Sequence, residues 1–201
     1  KTLVHELGCI ETLARVDTLC VDKTGTVTEN KMIVEDVCPL CDDRFTLDDI
    51  RMIMADYVYA MQADNDTRAA LRRYFTGEKT QDATATLPFS SAKKYGGVSF
   101  HDEETYLLGA PDVLLAGREN PYQEQIEGYS AKGCRVLLLG MYDGALSDET
   151  LSAGLLPIAM ILLSNKIRAE APETFRYFAK QGVEPTRYLR EVRVENAAEY
   201  K

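Results

Sequence analysis

No stretch restricts the fold more than a short apolar run closed by an acid, Thr18-Leu19-Cys20-Val21-Asp22, followed at once by Lys23-Thr24-Gly25-Thr26-Val27-Thr28. Apolar and β-branched residues bounded by a glycine turn read as a buried strand. Open parallel sheets present their chemistry beyond the carboxyl ends of their strands, so this strand delivers Asp22 to a working edge. Lys23 adds a cation, Thr24 and Thr26 add hydroxyls, and the turn at Gly25 offers backbone N–H groups that can cradle a phosphoryl group. A carboxylate placed there reads as a nucleophile.

The rest of the chain changes texture twice. Pro157–Leu163, followed by Ser164, Asn165 and a helix from Ala171-Pro172, reads as a second strand-to-helix unit, since proline suits a first helical turn. Between the two units, residues 47–61 and 65–75 carry helical periodicity, with Asp64, Asn65 or Asp66 as cap. Residues 83–89, 95–100 and 105–108 read as strands, with turns at Gly96-Gly97 and at 102–104. Residues 121–132 read as a helix and 135–142 as a buried strand. The expected fold class is α/β, with an antiparallel α+β domain inserted into a parallel one. The expected boundaries are 1–33 and 157–201 for the outer domain and 34–156 for the insertion.

Composition excludes several function classes. The 201 residues are 45% hydrophobic, enough to bury a core without staples, and 32 acids against 23 Lys and Arg leave a net charge of -9. That sign opposes a nucleic-acid partner. The longest apolar run, 155–163, is interrupted by Pro157 and falls short of the roughly 20 residues that cross a bilayer. No secretory leader is visible and no initiator Met is present, so the chain reads as part of something longer. Five irregularly spaced cysteines fit a reducing cytosol. Cys38 and Cys41 form a CxxC, but neither His5 nor His101 lies at finger spacing, so these read as small thiols near Pro39.

The heptapeptide Asp22–Thr28 (DKTGTVT), with Ile10-Glu11-Thr12-Leu13 before it, resembles the phosphorylation signature of the P-type cation-transporting ATPases, and the resemblance covers nearly the whole chain. It implies a partial haloacid-dehalogenase-like, Rossmann-type phosphorylation domain with an inserted nucleotide-binding domain. It further implies that Asp22 attacks the γ-phosphate of ATP, that Asp22 and the Thr24 carbonyl help hold Mg2+, and that Lys23 and Thr26 line the phosphate. Haloacid-dehalogenase phosphatases carry a second Asp two residues after the nucleophile; here Thr24 stands there, and a hydroxyl is no general base near neutral pH, so the acyl phosphate should persist.

The insertion resembles the family's nucleotide-binding domain at Phe89-Ser90-Ser91-Ala92-Lys93-Lys94, which places Phe89 on adenine and Lys94 at the nucleotide. Gly133-Cys134-Arg135-Val136-Leu137 likewise places Arg135 near the phosphates. Leu108-Gly109-Ala110-Pro111-Asp112 stands where the family has K-G-A-P-E, so an apolar side chain replaces a pocket cation, while Gly109 would let the backbone pass close to the base. Asp66 or Arg68 corresponds to an acidic adenine contact, with the register open between them. Asn165-Lys166-Ile167-Arg168 occupies the place of D-x-x-R, and after Val183 the family's later magnesium-binding loop is absent from this sequence.

The resemblance implies the catalytic part of a pump at the cytoplasmic face of a bacterial membrane. Its partners would be ATP and the pump's own transmembrane and actuator domains, and the chain itself is expected to be monomeric, with weak nucleotide binding and negligible turnover. The alternatives are a nucleotide-binding module without catalysis and a soluble haloacid-dehalogenase-type phosphatase; Thr24 counts against the latter.

Overall fold

A computed structural model describes residues 8, 15–41, 43–61, 65–101, 104–146, 151 and 153–188, except for the side chains of residues 22–24, 30 and 184–188. In chain order the elements are β1 (Thr18–Asp22), a single π-type turn (Lys23–Val27), β2 (Thr28–Pro39), α1 (Leu47–Ala60), α2 (Asp66–Tyr74), β3 (Ala83–Leu87), β4 (Tyr95–Phe100), β5 (Thr105–Gly109), α3 (Pro111–Leu114), α4 (Gln123–Ala131), β6 (Arg135–Tyr142), β7 (Leu155–Ile167), α5 (Ala171–Lys180) and β8 (Glu184–Tyr188). They form a two-stranded sheet, β1-β8, and a six-stranded sheet ordered β2-β7-β6-β5-β4-β3.

The chain divides into two compact units. One gathers the residues up to Asn30 with those from Asn165 onward, and the other is Lys31–Ser164. The chain passes between them once within β2 and once within β7.

In the outer unit β1 pairs in parallel with β8, from Thr18 opposite Glu184 to Asp22 opposite Tyr188. Helix α5 leads into β8 through Gly182, whose φ of +78° suits the residue after a helix. The Val183 N–H returns to the Phe178 carbonyl at 3.0 Å and closes the helix end.

Residues 157–163 do not join β1, which corrects the reading of that run as the returning parallel strand. They lie in β7, antiparallel to β6, with Leu163 opposite Arg135 and Met160 opposite Leu138. The cause is burial on both faces. Along β6, Leu137 and Leu139 enter one core with Val98, Phe100 and Ile161, while Val136 and Leu138 enter a second core with Leu114, Met160 and Leu162. Period-2 side chains that meet a covered face on each side produce an unbroken apolar run, whatever the strand direction.

Helices α1 and α2 cover the first of these faces, through Ile50, Met54, Tyr57 and Leu71. The second is covered by α3 and partly by Tyr122, Ile126 and Tyr129 around α4. α1 starts with a capping box: the Thr46 hydroxyl accepts from the Asp49 N–H at 3.2 Å and the Asp49 carboxylate accepts from the Thr46 N–H at 2.8 Å. Asp56 of α1, 2% exposed, accepts from both the N–H and the hydroxyl of Thr80 at 2.7 and 2.6 Å, which ties the segment before β3 to the helix.

Gly96 and Gly97 lie inside β4 and make no turn, which corrects that expectation. A Cβ on Gly97 would sit 2.5 Å from Leu146 and 2.6 Å from Leu107, so glycine answers close packing here. The reversal between β3 and β4 occupies residues 88–94.

Candidate functional site

The phosphate-cradle motif and the nucleotide motifs fall in different units, and each has its own geometry. Asp22 is the last residue of β1 and Lys23–Val27 form the turn that follows it. The side chains of Asp22, Lys23 and Thr24 lie outside the described residues; that of Thr26 is exposed. Gly25 has φ +82°, a conformation that costs an L side chain about 1–2 kcal/mol. Its N–H donates to the Thr28 hydroxyl at 3.3 Å, and Thr28 is 1% exposed.

The end of β7 holds this turn. Arg168 donates through its backbone N–H to the Val27 carbonyl and through Nη2 to the Gly25 carbonyl, each at 3.0 Å. Asn165 Nδ2 donates to the Glu29 carbonyl at 3.4 Å. Among the described residues, no three His, Cys, Asp or Glu side chains gather into a metal-binding group, and the Cys38 sulfur instead meets the Tyr129 hydroxyl at 3.5 Å.

The second place is a cavity of about 730 Å³ in the unit 31–164. That is within the usual range for small-molecule sites. Asp66, Phe89, Lys94 and Arg135 all line it, although they come from α2, the β3–β4 connection and the start of β6. Its buried apolar lining includes Tyr57, Val58, Leu71, Leu108 and Leu137. Burial pushes the Tyr57 phenol well above its ordinary pKa, so it stays neutral. Phe89 is 45% exposed and borders the cavity, and an aromatic ring there can stack on a flat ligand.

Lys94 has φ +58°, a left-handed conformation uncommon for a lysine. Its N–H donates to the Ser90 carbonyl at 2.6 Å, its carbonyl accepts from Ala110 N–H at 2.9 Å, and its ammonium pairs with Asp112 at 3.2 Å. Arg135 Nη1 donates to the Thr67 hydroxyl at 3.2 Å. Arg68, Lys94 and Arg135 set three cations against the single carboxylate of Asp66 in the lining, within a chain of net charge -9. Basic lining on an acidic molecule focuses the field on anionic ligands.

Both Asp66 and Arg68 border the cavity, and Arg68 also donates from Nη2 to the Val58 carbonyl at 3.3 Å. Asn65, which the sequence offers as a cap, lines the cavity as well, together with Thr67 and Met32. Asn65 caps α2, accepting from the Arg68 N–H at 2.9 Å, so Asn65 and Thr67 open that helix.

The chain is 39% identical to the calcium-transporting ATPase CtpE of Mycolicibacterium smegmatis, over 91% of this chain and 22% of that protein. It is 37% identical to the probable cation-transporting ATPase exp7 of Streptococcus pneumoniae, over 91% of this chain and 23% of that one. The chain is a homologue of the bacterial P-type cation-transporting ATPases. It spans about a fifth of the length of these relatives. No family model matches it.

Solved P-type ATPases share its mixed α/β fold. A zinc-transporting PIB-type ATPase in the E2.Pi state superposes with a TM-score of 0.59 at 21% identity, over 89% of this chain and 26% of that one. The catalytic domain of the CPx-ATPase CopB-B superposes with a TM-score of 0.56 at 13% identity, over 92% of this chain and 58% of that one.

In this P-type ATPase homologue Gly109 does not line the cavity, in contrast to Leu108 and Ala110 on either side. A Cβ on Gly109 would overlap Tyr95 and stand 2.6 Å from the Lys94 carbonyl oxygen. The glycine therefore serves the approach of β5 to β4.

Proposed function

We propose that this chain is the ATP-binding and autophosphorylating part of an ATP-driven cation pump, with residues 31–164 as the nucleotide-binding insertion and the flanking segments as a haloacid-dehalogenase-like phosphorylation domain. The observation that carries the reading is the cavity in which an exposed aromatic ring and three cations meet on a strongly acidic chain. Phe89 stacks on adenine, with Leu108 and Leu137 giving the base an apolar bed. Lys94 and Arg135 meet the phosphates, Arg135 in a fork geometry suited to them. Asp66 accepts from the exocyclic amine.

Asp22 then attacks the γ-phosphorus. A bond forms between a carboxylate oxygen and phosphorus, the bond to the β,γ-bridging oxygen breaks, and ADP leaves with the electron pair. The turn after β1 receives the phosphoryl group with its N–H groups, Lys23 and Thr26, while Arg168 steadies the turn by donating to the Gly25 and Val27 carbonyls. Thr24 supplies no base for attack by water, so the aspartyl phosphate lasts long enough to be coupled to transport.

A carboxylate at Asp22 and the carbonyl of Thr24, completed by nucleotide oxygens and water, fit Mg2+ in donor chemistry. When bound, the ion neutralises charge on the transferring oxygens. The cation moved, the membrane-spanning and actuator partners and a place at the cytoplasmic face of a bacterial membrane belong to the same proposal; among the described residues no helix is long and apolar enough to cross a membrane.

Calorimetry with ATP tests the binding half on the 201-residue chain. Labelled γ-phosphate tests the chemical half in a pump that includes this chain: the wild type should yield an acid-stable, hydroxylamine-sensitive adduct and Asp22→Asn none. Undiminished labelling of Asp22→Asn would remove Asp22 from the mechanism.

A further inference from the structure

The first turn of α2 carries a hydroxyl that the nucleotide reading does not use. Thr67 accepts from Arg135 Nη1 at 3.2 Å and donates to the Met32 sulfur at 3.4 Å. A hydroxyl has one proton to give and two lone pairs to accept with, so the two bonds are compatible and fix its rotor. Met32 is itself held, because its carbonyl accepts from Arg73 Nη2 at 2.8 Å. Thr67 is half-buried and Arg135 is exposed, and both line the cavity. A long, exposed guanidinium is thus tied at one corner by a short side chain that is anchored on its other side to β2.

We propose that Thr67 is a positioning residue: it holds the Arg135 guanidinium over the cavity in the orientation that takes a nucleotide's phosphates, and so sets the preference for phosphorylated over unphosphorylated ligands. The inference rests on the nucleotide reading of the cavity and adds to it the residue that makes Arg135 effective. An arginine on an exposed strand end loses rotamer freedom when it binds an anion. A partner that has already restricted it reduces that loss, and Nη1 is restrained while Nη2 and Nε keep their donors for phosphate oxygens. Asn65 sets the frame by capping α2, so the hydroxyl is presented by a helix start that does not depend on the ligand.

The test compares ATP and adenosine binding by calorimetry in the 201-residue chain and its variants. Thr67→Val keeps the shape and removes both bonds. It should weaken ATP binding about three- to tenfold, the range expected for one freed side chain, and leave adenosine unchanged. Thr67→Ser keeps the hydroxyl and should restore the ATP-to-adenosine ratio. In an Arg135→Ala background, Thr67→Val should have no further effect on ATP.

Unchanged ATP affinity in Thr67→Val would overturn the role. Equal weakening of ATP and adenosine would also overturn it, since it would mark Thr67 as a support of the cavity wall alone. Failure of the unmodified chain to bind either ligand would overturn the nucleotide reading, and the positioning role with it; the first two outcomes overturn only the latter.

Discussion

Asn165 holds its place with a group that an aspartate lacks. Its amide donates to the Glu29 carbonyl beside the turn that follows β1, and an ionised carboxylate only accepts. The neutral residue where the family pattern has an acid is thus matched to what stands opposite it. Asn165→Asp should lose the bond and set two acceptors face to face, at about 1 kcal/mol, read as a lower urea midpoint at neutral pH. The penalty should shrink in acid, as protonation returns a donor. Phe89 gives the complementary case. Nearly half exposed, it contributes little to the core, so Phe89→Ala should keep the melting temperature within a degree or two while lowering ATP affinity several-fold, the value of a lost aromatic stack. An unchanged affinity in calorimetry would take Phe89 out of the site.

Elements show where sequence reasoning reaches and where it stops. β6 was legible to the residue, because β-formers bounded by turn residues leave few alternatives, whereas the glycine pair inside β4 reads as a turn. β2 was not. Its Glu29, Lys31, Glu35 and Asp36 break any apolar pattern, as befits the edge strand of the six-stranded sheet, and such a segment looks like a linker. The pairing of 157–163 was illegible for the opposite reason, since a strand covered on both faces has no alternation to read. Asp66, Phe89, Lys94 and Arg135, named from motifs, line one cavity although they lie far apart in the chain, whereas the bond from Thr67 to Arg135 is visible only in three dimensions.

Two element-scale outcomes follow from the caps and ties. The Thr46 hydroxyl and then its backbone N–H hold the Asp49 carboxyl below the usual carboxylate range. A depressed carboxylate stabilises the fold above its unfolded pKa, near 4, and loses that contribution as pH falls through the lower folded value. Acid titration of helicity should therefore show part of the loss of α1 below pH 4, and Asp49→Asn should flatten that part. Asp56→Ala removes a buried acceptor of two bonds and should cost about 2–3 kcal/mol in denaturant unfolding, with ATP affinity unchanged, because Asp56 does not line the nucleotide cavity.

At the scale of the molecule, residues 31–164 contain both apolar cores almost entirely, and every residue that lines the cavity. Expressed alone, that segment should melt cooperatively and bind ATP within about twofold of the 201-residue chain. A much weaker affinity would show that the flanking segments contribute to the site. The ends of this unit lie on β2 and β7, adjacent in the sheet, and the Ser164 hydroxyl donates to the Glu35 carboxylate across them. Entry and exit are therefore a few residues apart in space, which makes the segment a cassette: spliced into a surface loop of an unrelated reporter protein, it would demand little separation of the host's two cut ends, and it could carry a nucleotide-responsive signal into a scaffold that has none.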